Sequence, residues 1–194
     1  MRNLPWLLIF CLLPVAAQAG EVTSTYLKFD IEKTCKQIEP GDEYVYAGTW
    51  KCPGQLGVDI LYSSADERDY VGFGKQAAQT CAFKKTFNRF NTALSPVELR
   101  LRDGKPIAAI ERWRVVTDDD GNAVTWLVVT ALKGGEACPV HYVAGSYPNA
   151  NEQARRAADD LAAGFNCETD VPAFDSTAGE PNISLEACSA LAAE

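Results

Sequence analysis

The sequence predicts an α+β fold: an antiparallel β-meander sheet of six or more strands, curled toward a barrel, with one packed C-terminal helix and disulfide cross-links. Three observations predict it. Apolar and polar residues alternate in short runs separated by turn-forming dipeptides. One late stretch carries the 3.6-residue period, with a capping residue before it and a glycine after it. Six cysteines remain once an apolar leader is set aside.

The leader comes first. Met1 to Ala19 reads as a secretory signal: Arg2 gives the positive start, Leu4 to Leu13 the apolar run, and Pro14 the break. Ala17-Gln18-Ala19 is then a small-x-small cleavage site before Gly20. An apolar run of about ten residues is too short for a bilayer core that needs roughly 20 in a helix. Bulky Phe10 before Cys11 argues against a lipoprotein site. The expected organisation is a signal peptide over 1–19, a β-rich globular domain with its helix over 20–168, and an acidic tail extension over 169–194.

The chain of 194 residues has 18 basic and 26 acidic side chains, a formal net charge of −8, which becomes −9 when Arg2 leaves with the leader. That charge repels phosphate backbones and excludes nucleic acid as a partner. No second apolar segment is long enough to span a membrane, so the expected address is periplasmic or secreted.

Short β-type runs come next: Tyr26 to Ile31, Tyr44 to Trp50, Val58 to Tyr62 and Tyr70 to Gly74, with Pro40-Gly41-Asp42 and Cys52-Pro53-Gly54 as turns. The two glycines of Tyr70-Val-Gly-Phe-Gly74 suggest a bulge or a close backbone approach. From Val97 the meander is clearest. Val97 to Arg102 alternates strictly, Asp103-Gly104 turns, Ile107 to Thr117 returns, Asp120-Gly121 turns again, and Val124 to Thr130 and Val140 to Val143 follow. A two-residue turn at Asp103-Gly104 sets Arg112 and Arg114 on the face of Leu99. A bulged three-residue turn sets them opposite, which burial favours.

Asn149 and Glu152 form an Asn-x-x-Glu capping box, and Gly164 stops the helix. Ala150, Ala154, Ala157 and Leu161 make its packing face. Glu152–Arg156, Arg155–Asp159 and Arg156–Asp160 pair on the wet side. Beyond Cys167 the chain reads as loop to Pro181, then a short helix capped by Ser184 through Ala193.

Trp50-Lys-Cys-Pro-Gly54, Tyr70-Val-Gly-Phe-Gly74, Tyr142-Val-Ala and the Ala154-Arg-Arg-Ala-Ala-Asp-Asp-Leu block before Cys167 carry a resemblance. From Cys35 to Cys167 the chain resembles a family of small exported alphaproteobacterial proteins, mostly of unassigned function. The resemblance implies a periplasmic address and no particular chemistry, and the tail with Cys188 extends beyond it.

Cys35, Cys52, Cys81, Cys138, Cys167 and Cys188 read as three disulfides, since none forms a Cys-x-x-Cys pair. Fifteen connectivities are open. Charge suggests one. The tail carries acids without bases, while the stretch from Tyr70 to Val97 carries Lys75, Lys84, Lys85 and Arg89 without an acid. One cysteine lies in each, so Cys81–Cys188 is expected, with Cys138–Cys167 and Cys35–Cys52.

Few residues suggest chemistry. His141 is the sole histidine, and no Gly-x-Ser-x-Gly elbow exists to accompany it, so it reads as a strand residue. Asp118 to Asn122 misses the calcium-loop spacing and reads as a turn. Glu111, beside Trp113, is the carboxylate to follow for glycan hydrolysis by paired acids, with an ion pair to Arg100 or Arg112 expected. Lys75, Lys84, Lys85 and Arg89, interleaved with Phe83, Phe87 and Phe90, read either as an amphipathic helix or as a docking surface for an anionic partner. No catalytic, metal or cofactor-binding residue is assigned, and no cofactor is expected. The function that follows is a non-enzymatic binding or accessory protein of the periplasm or cell envelope, with an unknown protein or envelope partner. The alternatives are an inhibitor of a basic, lysozyme-type wall-degrading enzyme and a carboxylate-dependent glycan hydrolase.

Overall fold

A computed structural model describes residues 20–41 and 47–192. The leader, the Tyr44 to Tyr46 part of one expected strand and the end of the last helix at Ala193 lie outside the described residues. Two open sheets form in place of a barrel. The larger runs β1 (Val22–Leu27), β6 (Asn91–Arg102), β7 (Lys105–Val116), β8 (Ala123–Lys133), β9 (Glu136–Ala144) and β10 (Ala173–Asp175), in that spatial order. The smaller runs β2 (Lys36–Pro40), β3 (Gly48–Gln55), β4 (Val58–Ala65) and β5 (Arg68–Phe73). All neighbours are antiparallel except β10, which lies parallel to β9.

Most expected strands are present and longer, but the first is shifted to Val22–Leu27 from Tyr26 to Ile31, Cys52-Pro53-Gly54 lies inside β3 and not in a turn, and β2 and β10 are not among the expected strands. Asp66-Glu67 joins β4 to β5 with both residues in the left-handed region, a two-residue turn made without glycine and so missed in the sequence. Gly72 serves close approach: a methyl group there would lie 2.8 Å from the Ala77 carbonyl oxygen.

Side-chain alternation then sorts the residues into two cores. Leu99, Ala109, Trp113, Val115, Trp126 and Tyr142 face Trp50, Ile60, Tyr62, Val71 and Phe73 of the smaller sheet. Ala108, Ile110, Leu127, Val129, Val140 and Val143 face the opposite way, against helix α2 (Ala150–Leu161). The larger sheet is therefore buried on both sides, which is why β8 and β9 read as apolar runs and not as alternation. Asp103-Gly104 makes the two-residue turn, Arg102 pairing with Lys105, but the β6–β7 pairing then shifts between Arg100 and Leu101. The bulge falls at Ile107 inside β7 and not in the turn, and it still sets Arg112 and Arg114 opposite Leu99.

Helix α2 forms where expected, with different contacts at its ends. Asn149 precedes it in the left-handed region and makes no side-chain cap, so the expected box does not close; its carbonyl accepts from the Glu152 and Gln153 amides instead. Ala154 and Ala158 are fully buried, while Leu161 is 39% exposed, so the packing face is rotated away from Leu161. Arg155 and Asp159 do not pair with each other. Arg155 forks onto Glu98 of β6 at 2.7 and 3.1 Å, and Asp159 accepts from Arg100 at 2.5 and 2.9 Å. Of the side expected to be wet, Arg155 and Asp159 therefore face the sheet, over the buried Glu98, while Glu152, Arg156 and Asp160 are exposed as expected. Arg155→Ala removes a charge-assisted fork from a buried carboxylate that keeps Ser24 as a hydrogen-bond donor. After allowance for the partial exposure of Arg155, a loss of about 1–2 kcal/mol is expected in chemical denaturation.

The segment after α2 is stitched to the domain. Phe174, Ile183 and Leu185 pack against the inter-sheet core, and β10 extends the larger sheet. Only a short 3-10 turn, Cys188–Ala192, forms near its end. Three disulfides close: Cys35–Cys52, Cys81–Cys188 and Cys138–Cys167. Such bonds belong to an oxidising compartment. Among the described residues no helix is long and apolar enough to cross a membrane.

Candidate functional site

A polar chamber lies inside the inter-sheet core. The bulge at Ile107 in β7 puts Glu111 and Trp113 on the inner face of the larger sheet. Tyr142 enters from β9, Thr130 from β8, and Ile183 of the C-terminal segment closes one side. The space is about 20 Å³, room for one water molecule. Glu111 Oε1, Trp113 Nε1 and the Tyr142 hydroxyl are all buried there without a hydrogen-bond partner. The expected ion pair of Glu111 with Arg100 or Arg112 does not form, because both arginines project from the other face of the sheet.

Burial pushes the Glu111 carboxyl well above the ordinary glutamate range, and the charge of Asp69 on β5 adds to the rise. Asp69 is also raised by burial, though hydrogen bonds from Tyr62, Ser64 and the Ala93 amide hold its ionised form. Two neighbouring carboxyls in unlike surroundings are the raw material of acid–base catalysis. Here a sugar ring has no room: Glu111 faces a space for one water, walled by Phe87, Trp113 and Tyr142, and Asp69 is buried outside that space. Burial also raises the Tyr142 phenol, so it stays protonated.

His141 sits on β9, and its Nε2 lies 3.0 Å from Asp175 Oδ2 on β10. Its Nδ1 is buried and touches no hydroxyl or thiol. The dyad therefore has no nucleophile to activate, and it joins the two strands. In the Asp118 to Asn122 turn, the Asp118 carboxylate accepts from the Asn122 amide and side chain, which holds that carboxyl below the usual range.

The four basic residues expected to form a helix or one docking face do neither. Only Cys81–Lys84 is helical (α1), and Lys85 is already extended. Phe87 is buried on Trp113 and Tyr142, with ring centroids 5.7 and 6.3 Å away, whereas Phe90 is 48% exposed. Lys85 leaves the proposed surface altogether. It is buried, its stem lines the chamber, and its ammonium donates to the backbone carbonyls of Ser184 and Glu186. Burial lowers its pKa, against the pull of the Glu186 charge. Lys75 and Lys84 line two adjoining concavities that share Gln76, Gly135 and Glu136.

Arg89 lines an open concavity of about 590 Å³ with Phe90, Asp66, Glu67, Arg114 and Asp119, and lies 3.8 Å from Asp119. The concavity sets one aromatic ring among side chains of both charge signs. Sequence reasoning missed it because its parts come from three turns. The signal available was the like-charged Asp66-Glu67 turn, which recurs opposite Asp118-Asp119. No family model, curated protein or solved structure matches the chain.

Proposed function

We propose that this is an exported, non-enzymatic binding or accessory protein of the periplasm or cell envelope, akin to the small exported alphaproteobacterial proteins it resembles. One observation carries the reading: the reactive groups and the open concavities are in different places. Glu111 and Asp69 are sealed between the sheets, and the concavity around Phe90 and Arg89 offers an aromatic ring and paired charges. Three disulfides suit the oxidising address, and the acidic surface suits a cationic or zwitterionic partner.

A second reading, an inhibitor of a basic wall-degrading enzyme, draws support from Asp66 and Asp119. Their side chains are 78% and fully exposed on adjacent turns of that same end. Co-sedimentation of the oxidised mature protein with purified peptidoglycan sacculi, run beside a lysozyme inhibition assay, tests both. Expected is binding without release of soluble fragments, weakened several-fold by Phe90→Ser. Inhibition without sacculus binding selects the second reading. Fragment release that disappears in Glu111→Gln overturns both in favour of the hydrolase.

A further inference from the structure

The C-terminal segment closes the chamber, and its attachment is uneven. Ile183 forms part of the chamber wall, and two of its carbonyls hold the Lys85 ammonium. Asn88 bonds Asn182 twice, through its amide at 2.9 Å and its side chain at 3.2 Å. Leu185 packs on the inter-sheet core, the Cys188 amide donates to the Cys167 carbonyl at 3.0 Å and Ser189 Oγ to the Glu168 carbonyl at 2.6 Å, and Cys81–Cys188 adds a covalent link across 107 residues.

The three disulfides are not equally accessible. Cys138 and Cys167 are both buried, and Cys52 is fully buried although Cys35 is partly exposed. Both Cys81 and Cys188 are partly exposed, and they line an open concavity of about 520 Å³ with Lys84, Glu136 and Glu168; Cys167 reaches its wall too, but is only 8% exposed and its partner Cys138 is fully buried. Exchange requires a thiolate to reach one sulfur while the other leaves as thiolate. Attack at Cys35 expels a Cys52 thiolate into the apolar core, where that charge is costly. Attack at Cys81 or Cys188 expels a thiolate into an open, solvated concavity, where Lys84 offsets part of the charge of Glu136 and Glu168 and no charge has to enter the core.

We infer that the C-terminal segment is a redox-released strap: dithiol exchange at Cys81–Cys188 frees it, and the chamber between the sheets opens. The reductant is a dithiol, of the Cys-x-x-Cys protein class or its small-molecule equivalent. One of its thiolates attacks Cys81 or Cys188 and forms a mixed disulfide as the other cysteine leaves. Its second thiol then displaces the attacked cysteine. Two electrons and two protons pass to the protein, which gains two thiols, and the reductant becomes a disulfide. Loss of Ile183 from the wall gives solvent access to Glu111, Trp113 and Tyr142.

The experiment titrates the folded, oxidised protein with dithiothreitol, quenches with an alkylating agent and maps each cysteine by mass spectrometry. Digestion by a glutamate-specific protease and amide exchange at Asn88 are followed in parallel. Cys81 and Cys188 should be alkylated at a dithiol concentration roughly tenfold below that needed for the other four. At that point cleavage after Glu180 and Glu186 appears, Asn88 loses protection, and the sheets stay protected. Simultaneous or earlier alkylation of the other cysteines overturns the inference. So does alkylation of Cys81 and Cys188 with Asn88 and the strap still protected. A Cys81→Ser/Cys188→Ser variant that folds should show the released state without reductant; full strap protection in it also overturns the inference.

Discussion

The oxidised protein is expected to lose stability as pH rises above the ordinary glutamate range, and Glu111→Gln to remove much of that loss. Glu111 ionises near pH 4.3 in the unfolded chain, but burial and the Asp69 charge hold it protonated to far higher pH in the fold. Between those two values the folded protein binds more protons than the unfolded one, so stability falls with rising pH. Below the lower value both states are protonated and nothing is lost. Within that interval the slope for one such group is about 1.4 kcal/mol per pH unit.

Asp69 is shifted in the same direction and adds to the slope. The other ionisable groups around the chamber are Lys85, whose ammonium is bound to carbonyls, and Tyr142, whose phenol stays neutral. Asp30 and Asp118 are shifted down, so their contribution is complete above the usual aspartate range and stays level across this window. Thermal melts of both proteins across the pH range measure the difference. A wild-type melting temperature that rises with pH, or a Glu111→Gln curve parallel to it, refutes the assignment.

The second large effect is expected at the helix. Ala154 is fully buried where α2 meets the larger sheet, among Ile110, Val129 and Val143 of the same apolar cluster. Ala154→Asp puts an unpaired carboxylate there and is expected to cost about 3–5 kcal/mol, enough to unfold much of a domain whose total stability is of order 5–15 kcal/mol. The denaturation midpoint should fall steeply, with the slope unchanged. Ala154→Gly separates packing from charge, since it loses only helix propensity and one methyl, about 1–2 kcal/mol. Equal costs for the two variants would show that the helix does not pack on the sheet through this face.

Much of this architecture was legible in the residues because it is locally specified. Asp103-Gly104 and the turns around Gly121 and Gly134 impose hairpins through left-handed backbone that glycine adopts freely, so neighbouring strands pair whatever lies above them. Helix α2 was legible from its alanine period and the stop at Gly164, and the apolar runs of β8 and β9 announced burial. The bulge that turns Arg112 and Arg114 away from Leu99 followed from burial alone.

The sheet-to-sheet and helix-to-sheet packing decided the rest. Phe83, Phe87 and Phe90 at helical spacing described a helix, yet after Lys84 the chain is drawn out so that Phe87 fills the core and Lys85 meets the C-terminal carbonyls. Arg155 and Asp159 stood at ideal spacing to pair with one another. Glu98 and Arg100 on the next layer outbid them, because a buried carboxylate gains more from a guanidinium than an exposed one does. Periodicity and charge along the chain thus determined the strands, the helix and the compartment chemistry of six cysteines. The chamber of Glu111, its closure by Ile183 and the concavity around Phe90 arise from residues far apart in sequence, and only tertiary structure brings such residues within the few ångströms over which burial and hydrogen bonding act.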